Sequence, residues 1–348
     1  MDIRTTIKTL SSLRAVSGYE FRIADTIGDI FSLYCKTVEK DALGTVMGIM
    51  PSPRKNAPKI MIEAHMDEIG MMITDIDERG FLYFTNIGGI DPRILPAKEV
   101  VVHGRKDVKG IIGAKPPHVT TAEQREKTIP IDELFIDTGY SYENIKELVS
   151  VGDTVTFGHS TLFWGESLIS TKSQDDRTGV AILINLMQRL KGIELPFDIY
   201  FCACVQEEVG RRGAAAAATR IDPAFAVAID VCHASTPDAS EGTFKLGSGT
   251  VISKGPNIHP VLLKKLLKIM DENEIKYSID VDGDDTGTDA WAIQTAREGI
   301  PTVLFSLPLR YMHTMVETVS EEDVISTADA IYSLIVNTDD AEEAVCLK

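Results

Sequence analysis

Four apolar runs set the architecture of this chain: PKIMIEAHMD from residue 58, FDIYFCACVQEEVG from 197, AFAVAIDVCH from 224 and IPTVLFSLP from 300. Each is the length of one strand, and its apolar character is continuous rather than alternating, so it must be covered on both faces. Amphipathic segments lie among them: DRTGVAILINLMQRLKGI, HPVLLKKLLKIMDENEI and SEEDVISTADAIYSLIVN. Such an order predicts an α/β domain with a mixed sheet covered by helices on both faces. At the start, IRTTIKTLSSLRAV has helical spacing as far as Ser17-Gly18, and KTVEKDALGTVMGIM reads as strand. The alanine run at 214–218 reads as a tightly packed helix.

Residues 71–162 break this rhythm. Short β-prone runs punctuated by Gly and Pro, as in FLYFTNIGGIDPRILPAKEVVVHGRKDVKGIIG, predict a small β-rich domain inserted into the α/β domain of residues 1–70 and 163–348. A formal net charge of -17 disfavours nucleic acid and anionic membranes as partners. No run approaches the ~18 apolar residues of a membrane span, and MDIRTTIKTL lacks the apolar core of a signal peptide. Five cysteines, an odd number without CxxC spacing, fit a reducing cytoplasm.

Chemistry concentrates where the strands end. The first run stops at His65 and Asp67, which alternation places on one side, so that Asp67 can fix the imidazole tautomer. Asp175 and Asp176 open a helix, Glu207 and Glu208 end the second run, Asp230 ends the third, and His313 follows the fourth. Each cluster alone has an ordinary structural explanation. A strand-end histidine can be satisfied by its neighbours, acids at a helix start can be caps, and paired glutamates can be a solvated turn. Open α/β sheets, however, place their sites at the carboxyl ends of strands, and here five such clusters fall there together. His103, His118 and His159 lie in the predicted insert and His259 beside a helix start, all read as structural. His233 and Asp289 are candidates to support or line the site.

AHMDEIG, DDRTG, QEEVGRRGA, AIDVCHA, GTDA and RYMHT resemble the motifs of the M42 family of dinuclear metallo-aminopeptidases, as do GGIDPRILPAKEV, GAKPPH and GPNIHP. Ser173-Gln174 and Met315 depart from the family pattern without touching a proposed ligand. The resemblance implies a zinc-exopeptidase-like α/β domain, an insert used in oligomerisation, and two divalent ions per subunit, zinc or cobalt. It implies that His65 and Asp230 bind one ion, Glu208 and His313 the other, and that Asp175 bridges them. Glu207 would be the general base acting on a metal-bridging water, with Asp67 supporting His65. Short peptides would be the substrates, cut at the N-terminus, and the subunits would form a homo-oligomer, up to a tetrahedral dodecamer.

The acid pairs alone also fit a related carboxypeptidase or an N-acyl amino-acid deacylase. A glycosidase needs two carboxylates flanking the scissile bond and has no use for this histidine set. A non-catalytic assembly protein would lack a ligand or the base, and none is missing here.

Overall fold

The computed structural model describes residues 2–239 and 241–346. Its main sheet has eight strands in the spatial order Thr37–Lys40, Val46–Met50, Asp198–Cys204, Lys59–His65, Phe225–His233, Thr302–Leu309, Thr250–Lys254 and Tyr277–Val281. The four apolar runs are its parallel centre, flanked by antiparallel neighbours on either side. The sheet is therefore mixed, as the sequence predicts. Ile60, Met61 and Ile62 are wholly buried, each contributing on the order of 1.5–3 kcal/mol relative to exposure. The helices Ile3–Ser12, Phe21–Phe31, Gln174–Leu190 and Glu321–Val336 pack together over one face. Arg212–Ile221, which contains the alanine run, and Asp289–Gln294 cover the other. Alanines at 214, 217 and 218 are buried, and their small side chains let the helix lie close to the strands.

From Gly70 to Phe157 the chain forms a closed six-stranded barrel, ordered Gly70–Ile76, Leu82–Ile87, Phe135–Asp137, Asp107–Gly113, Glu99–His103 and Thr154–Phe157. It has its own apolar core, including Met71, Ile73, Val100, Ile112, Ile136 and Val155. A three-stranded sheet, Leu162–Trp164, Leu168–Thr171 and Glu317–Ser320, joins the chain's return from the barrel to the segment after His313. Among the described residues, no helix is long and apolar enough to cross a membrane.

The first helix ends at Ser12, earlier than its periodicity predicts. Two stronger claims on the backbone stop it. Residues 15–17 pair with Glu68, whose amide donates to the Ala15 carbonyl at 2.9 Å. The carbonyls of Leu10 and Leu13 accept from the buried Arg177 guanidinium, which caps the helix end from another element. Helical spacing could not foresee that cap, because its donor lies more than 160 residues away.

Candidate metal centre and catalytic site

Seven candidate residues from five chain segments meet at the carboxyl edge of the parallel strands. His65 ends its strand, and its Nε2 lies 3.0 Å from Asp175 Oδ1. His313 Nε2 lies 3.4 Å from the other Asp175 oxygen and 3.4 Å from Glu208 Oε1. Two sets of ligand atoms result, His65/Asp175/Asp230 and Asp175/Glu208/His313, each with all its atoms within 4.8 Å of one another and both containing Asp175. Three carboxylates and two imidazoles in a largely buried cluster make a donor set suited to two divalent ions sharing a carboxylate. Apart from imidazolium charge, nothing else in these two sets would offset that much buried negative charge.

The two aspartates of DDRTG divide the two readings of that motif between them. Asp176 Oδ1 accepts from the Gly179 amide at 3.0 Å and is the helix cap. Asp175 instead faces the histidines, with a cis peptide between the pair. A Cβ at Gly179 would sit 2.3 Å from Asp176 Oδ2, so glycine is what lets the cap fit. Asp67 sits 3.4 Å from His65 Nδ1 and also accepts from Ser17 Oγ at 2.6 Å, Glu207 N at 3.0 Å and Glu208 N at 3.3 Å. One buried carboxylate thus lies beside the histidine ring and holds the Glu-Glu turn.

Three further groups complete the arrangement, and sequence reasoning did not find them. Glu317 accepts from His313 N at 2.9 Å with one oxygen, and from Gln174 N at 2.6 Å and Asp175 N at 3.2 Å with the other. It locks together two segments that carry candidate ligands. Gly89, in the loop after the barrel strand Leu82–Ile87, accepts from His313 Nδ1 at 2.8 Å, which leaves the Nε2 lone pair free for an ion. A Cβ on Gly89 would meet that ring at 3.0 Å, so the Gly-Gly of GGIDPRILP gives a backbone approach that a larger residue would crowd. Arg211 Nε lies 3.5 Å from Glu207 Oε1 and its guanidinium is also paired with Asp285. Ser173, Gln206, Arg211 and His313 all hold left-handed φ without being glycine, a concentration of strain at one place.

Burial pushes the Glu207 carboxyl up to about 8, opposed by His65 and reinforced by Asp289, Glu208 and Asp175. Burial disfavours the His313 imidazolium, but Asp175 and Glu208 outweigh it and raise the group to about 11. A proton is thus strongly held at this imidazole.

The remaining candidates lie apart. His233 is exposed at its strand end, and Asp289 is buried behind the site against Glu63 and Cys204. His103 bonds Asp107 and Thr156 inside the barrel wall, and His259 caps its helix by accepting from Leu262 N at 3.4 Å.

A family profile described as M42 glutamyl aminopeptidase matches residues 44–329. The chain is 34% identical over 335 residues to a lysyl aminopeptidase of Pyrococcus furiosus, covering 94% of this chain and 95% of that one. Among solved structures, an aminopeptidase of the archaeon Desulfurococcus kamchatkensis superposes with a TM-score of 0.90 at 35% identity, covering 99% and 96% of the two chains. The TET1 peptidase of Pyrococcus horikoshii, which can assemble into a tetrahedron or a large octahedral shell, gives a TM-score of 0.86 at 33% identity, covering 97% of this chain and 100% of that one.

Proposed function

The chain belongs to the M42 peptidase family of metal-dependent aminopeptidases, and from that premise we propose that it removes N-terminal residues from short peptides with two divalent ions and Glu207 as general base. The observation that carries this reading is the pair of ligand sets sharing Asp175. His65 and Asp230 would hold one ion and Glu208 and His313 the other, with Asp175 available to both. Zinc or cobalt suits these nitrogen and oxygen donors. When bound, the ions polarise the scissile carbonyl and make water a stronger acid.

The chain's own groups do the rest. Asp67 fixes the His65 ring, and the Gly89 carbonyl fixes that of His313. Glu207 takes a proton from the attacking water and returns it to the leaving amine. Its burial raises its affinity for that proton, and Arg211 steers its carboxylate. All five cysteines are free, consistent with a cytoplasmic enzyme. Assembly into a tetrahedral shell, as in the related archaeal peptidase, would use the barrel as a contact surface and limit substrates to short or unfolded chains.

Exhaustive chelation is expected to abolish hydrolysis of aminoacyl-p-nitroanilides, and adding back zinc or cobalt to restore it. Acetylating the substrate N-terminus should stop cleavage, whereas amidating its C-terminus should change it little. Full activity with metal content near zero would sink the proposal, and the reverse end preference would make the enzyme a carboxypeptidase.

Glu317→Gln tests the lock between Asp175 and His313. The amide must turn its NH₂ toward at least one backbone N–H, because both carboxylate oxygens accept such donors. We expect metal affinity to fall about 10–100-fold and excess metal to recover part of kcat. Unchanged affinity in competition titrations would limit Glu317 to a structural role.

A further inference from the structure

A second group of ligand-type side chains lies beneath the site already described and contains none of its residues. Strand register places Glu63 beside Cys202 and His65 beside Cys204, so all four point to one face of the sheet. Asp289, the first residue of its short helix, comes down onto that face from the covering layer. Glu63 Oε, Cys204 Sγ and Asp289 Oδ atoms converge within 4.8 Å of one another. Glu63 and Cys204 are fully buried and Asp289 is 2% exposed.

Both oxygens of Glu63 and both of Asp289 lack a hydrogen-bond donor. Among the described residues, neither carboxylate has a Lys, Arg or His in ion-pair contact. Four buried carboxylate oxygens left charged this way would cost several kcal/mol per charge, so the pair holds either protons or a cation between them.

We propose that Glu63, Cys204 and Asp289 form a further, fully buried site for one divalent transition ion. One thiolate with two carboxylates is a ligand type zinc and cobalt accept. As the ion enters, the thiol and any protonated carboxyl release their protons. The ion joins two central strands to the helix Asp289–Gln294 directly behind the catalytic residues. Its place is structural, since no substrate reaches side chains buried this deeply.

The site of the proposed reaction contains no sulfur ligand, so a thiolate signal reports on this cluster whether or not the dinuclear reading holds. The test uses the full-length protein reconstituted with cobalt(II). Wild type is expected to show a near-ultraviolet thiolate-to-cobalt charge-transfer band, and to bind one more ion per subunit than Cys204→Ser, which loses the band. Cys202→Ser keeps both band and ion. Asp289→Asn retains every thiol and is expected to lose both, so the conclusion survives if Cys204→Ser fails to fold. Cobalt-loaded wild type without a thiolate band overturns the proposal, and the carboxyls then hold a proton between them. A band that persists in Cys204→Ser or in Asp289→Asn overturns it equally.

Discussion

Exchanging Glu207 for Gln is expected to lower kcat by at least about 10²-fold, and by as much as about 10⁴-fold, with KM and metal content little changed. The substitution keeps the side chain's size and its contact with Arg211 but removes its capacity to take a proton. Glu207 lies outside both ligand sets, whereas its neighbour Glu208 is in one of them, 3.4 Å from His313. Glu208→Gln is therefore expected to weaken one ion instead, and high metal should restore part of its activity. The backbone explains how adjacent glutamates come to differ. Asp67 accepts from both of their amides and fixes the turn, while Gln206 just before them takes a left-handed φ of 58°. Metal analysis beside steady-state kinetics separates the two variants. An ion lost from Glu207→Gln, with Glu208→Gln inactive and fully loaded, would exchange the assignments. Full activity in both would remove the site proposal altogether.

What could be read from the sequence was whatever depends on local pattern. Continuous apolar runs identify the parallel centre of the sheet because burial on both faces leaves no polar alternation. Acids and histidines at the ends of those runs stand out because a buried strand has no other reason to finish in charge. Long-range partnership is invisible to such reading. Glu317 looks like an ordinary residue ahead of a helix, yet it holds backbone amides from residues 174, 175 and 313. Gly89 looks like turn chemistry, and only the packed structure reveals His313 against its Cα. DDRTG was ambiguous between cap and ligand for a physical reason: Asp176 has the geometry of the first and Asp175 that of the second. Glu63 stands inside an otherwise apolar strand, but its partners lie on another strand and a helix, where local pattern does not reach.

Replacing Arg177 by Met is expected to destabilise the protein by about 3–5 kcal/mol, the usual consequence of removing one partner of a buried charge cluster. The guanidinium is fully buried and reaches four acceptors: the carbonyls of Leu10, Leu13 and Met66, and Glu68 Oε1 at 2.9 Å. Met66 lies between His65 and Asp67, so the same side chain that closes the first helix also steadies the first strand end of the site. Glu68 would keep Lys172 and Ser173 as partners, but three carbonyls would lose a donor. Arg177→Lys retains the charge without the planar fork and should fall between wild type and Met. A pH series adds an independent readout. Burial disfavours the Glu68 carboxylate, but Arg177 and Lys172 more than reverse this and lower the group from 4.5 to about 2. A depressed carboxyl contributes stability that is fully present above its unfolded value and disappears as pH falls through its folded one. Between pH 4.5 and about 2 the wild type should therefore lose about 3 kcal/mol from this group. With Arg177→Met the folded value rises toward 4.5, and that part of the acid loss should shrink. Urea midpoints measured across this range decide the matter. A variant as stable as wild type at neutral pH, with an unchanged acid profile, would show that the cluster is not what holds the first helix to the strand bearing His65.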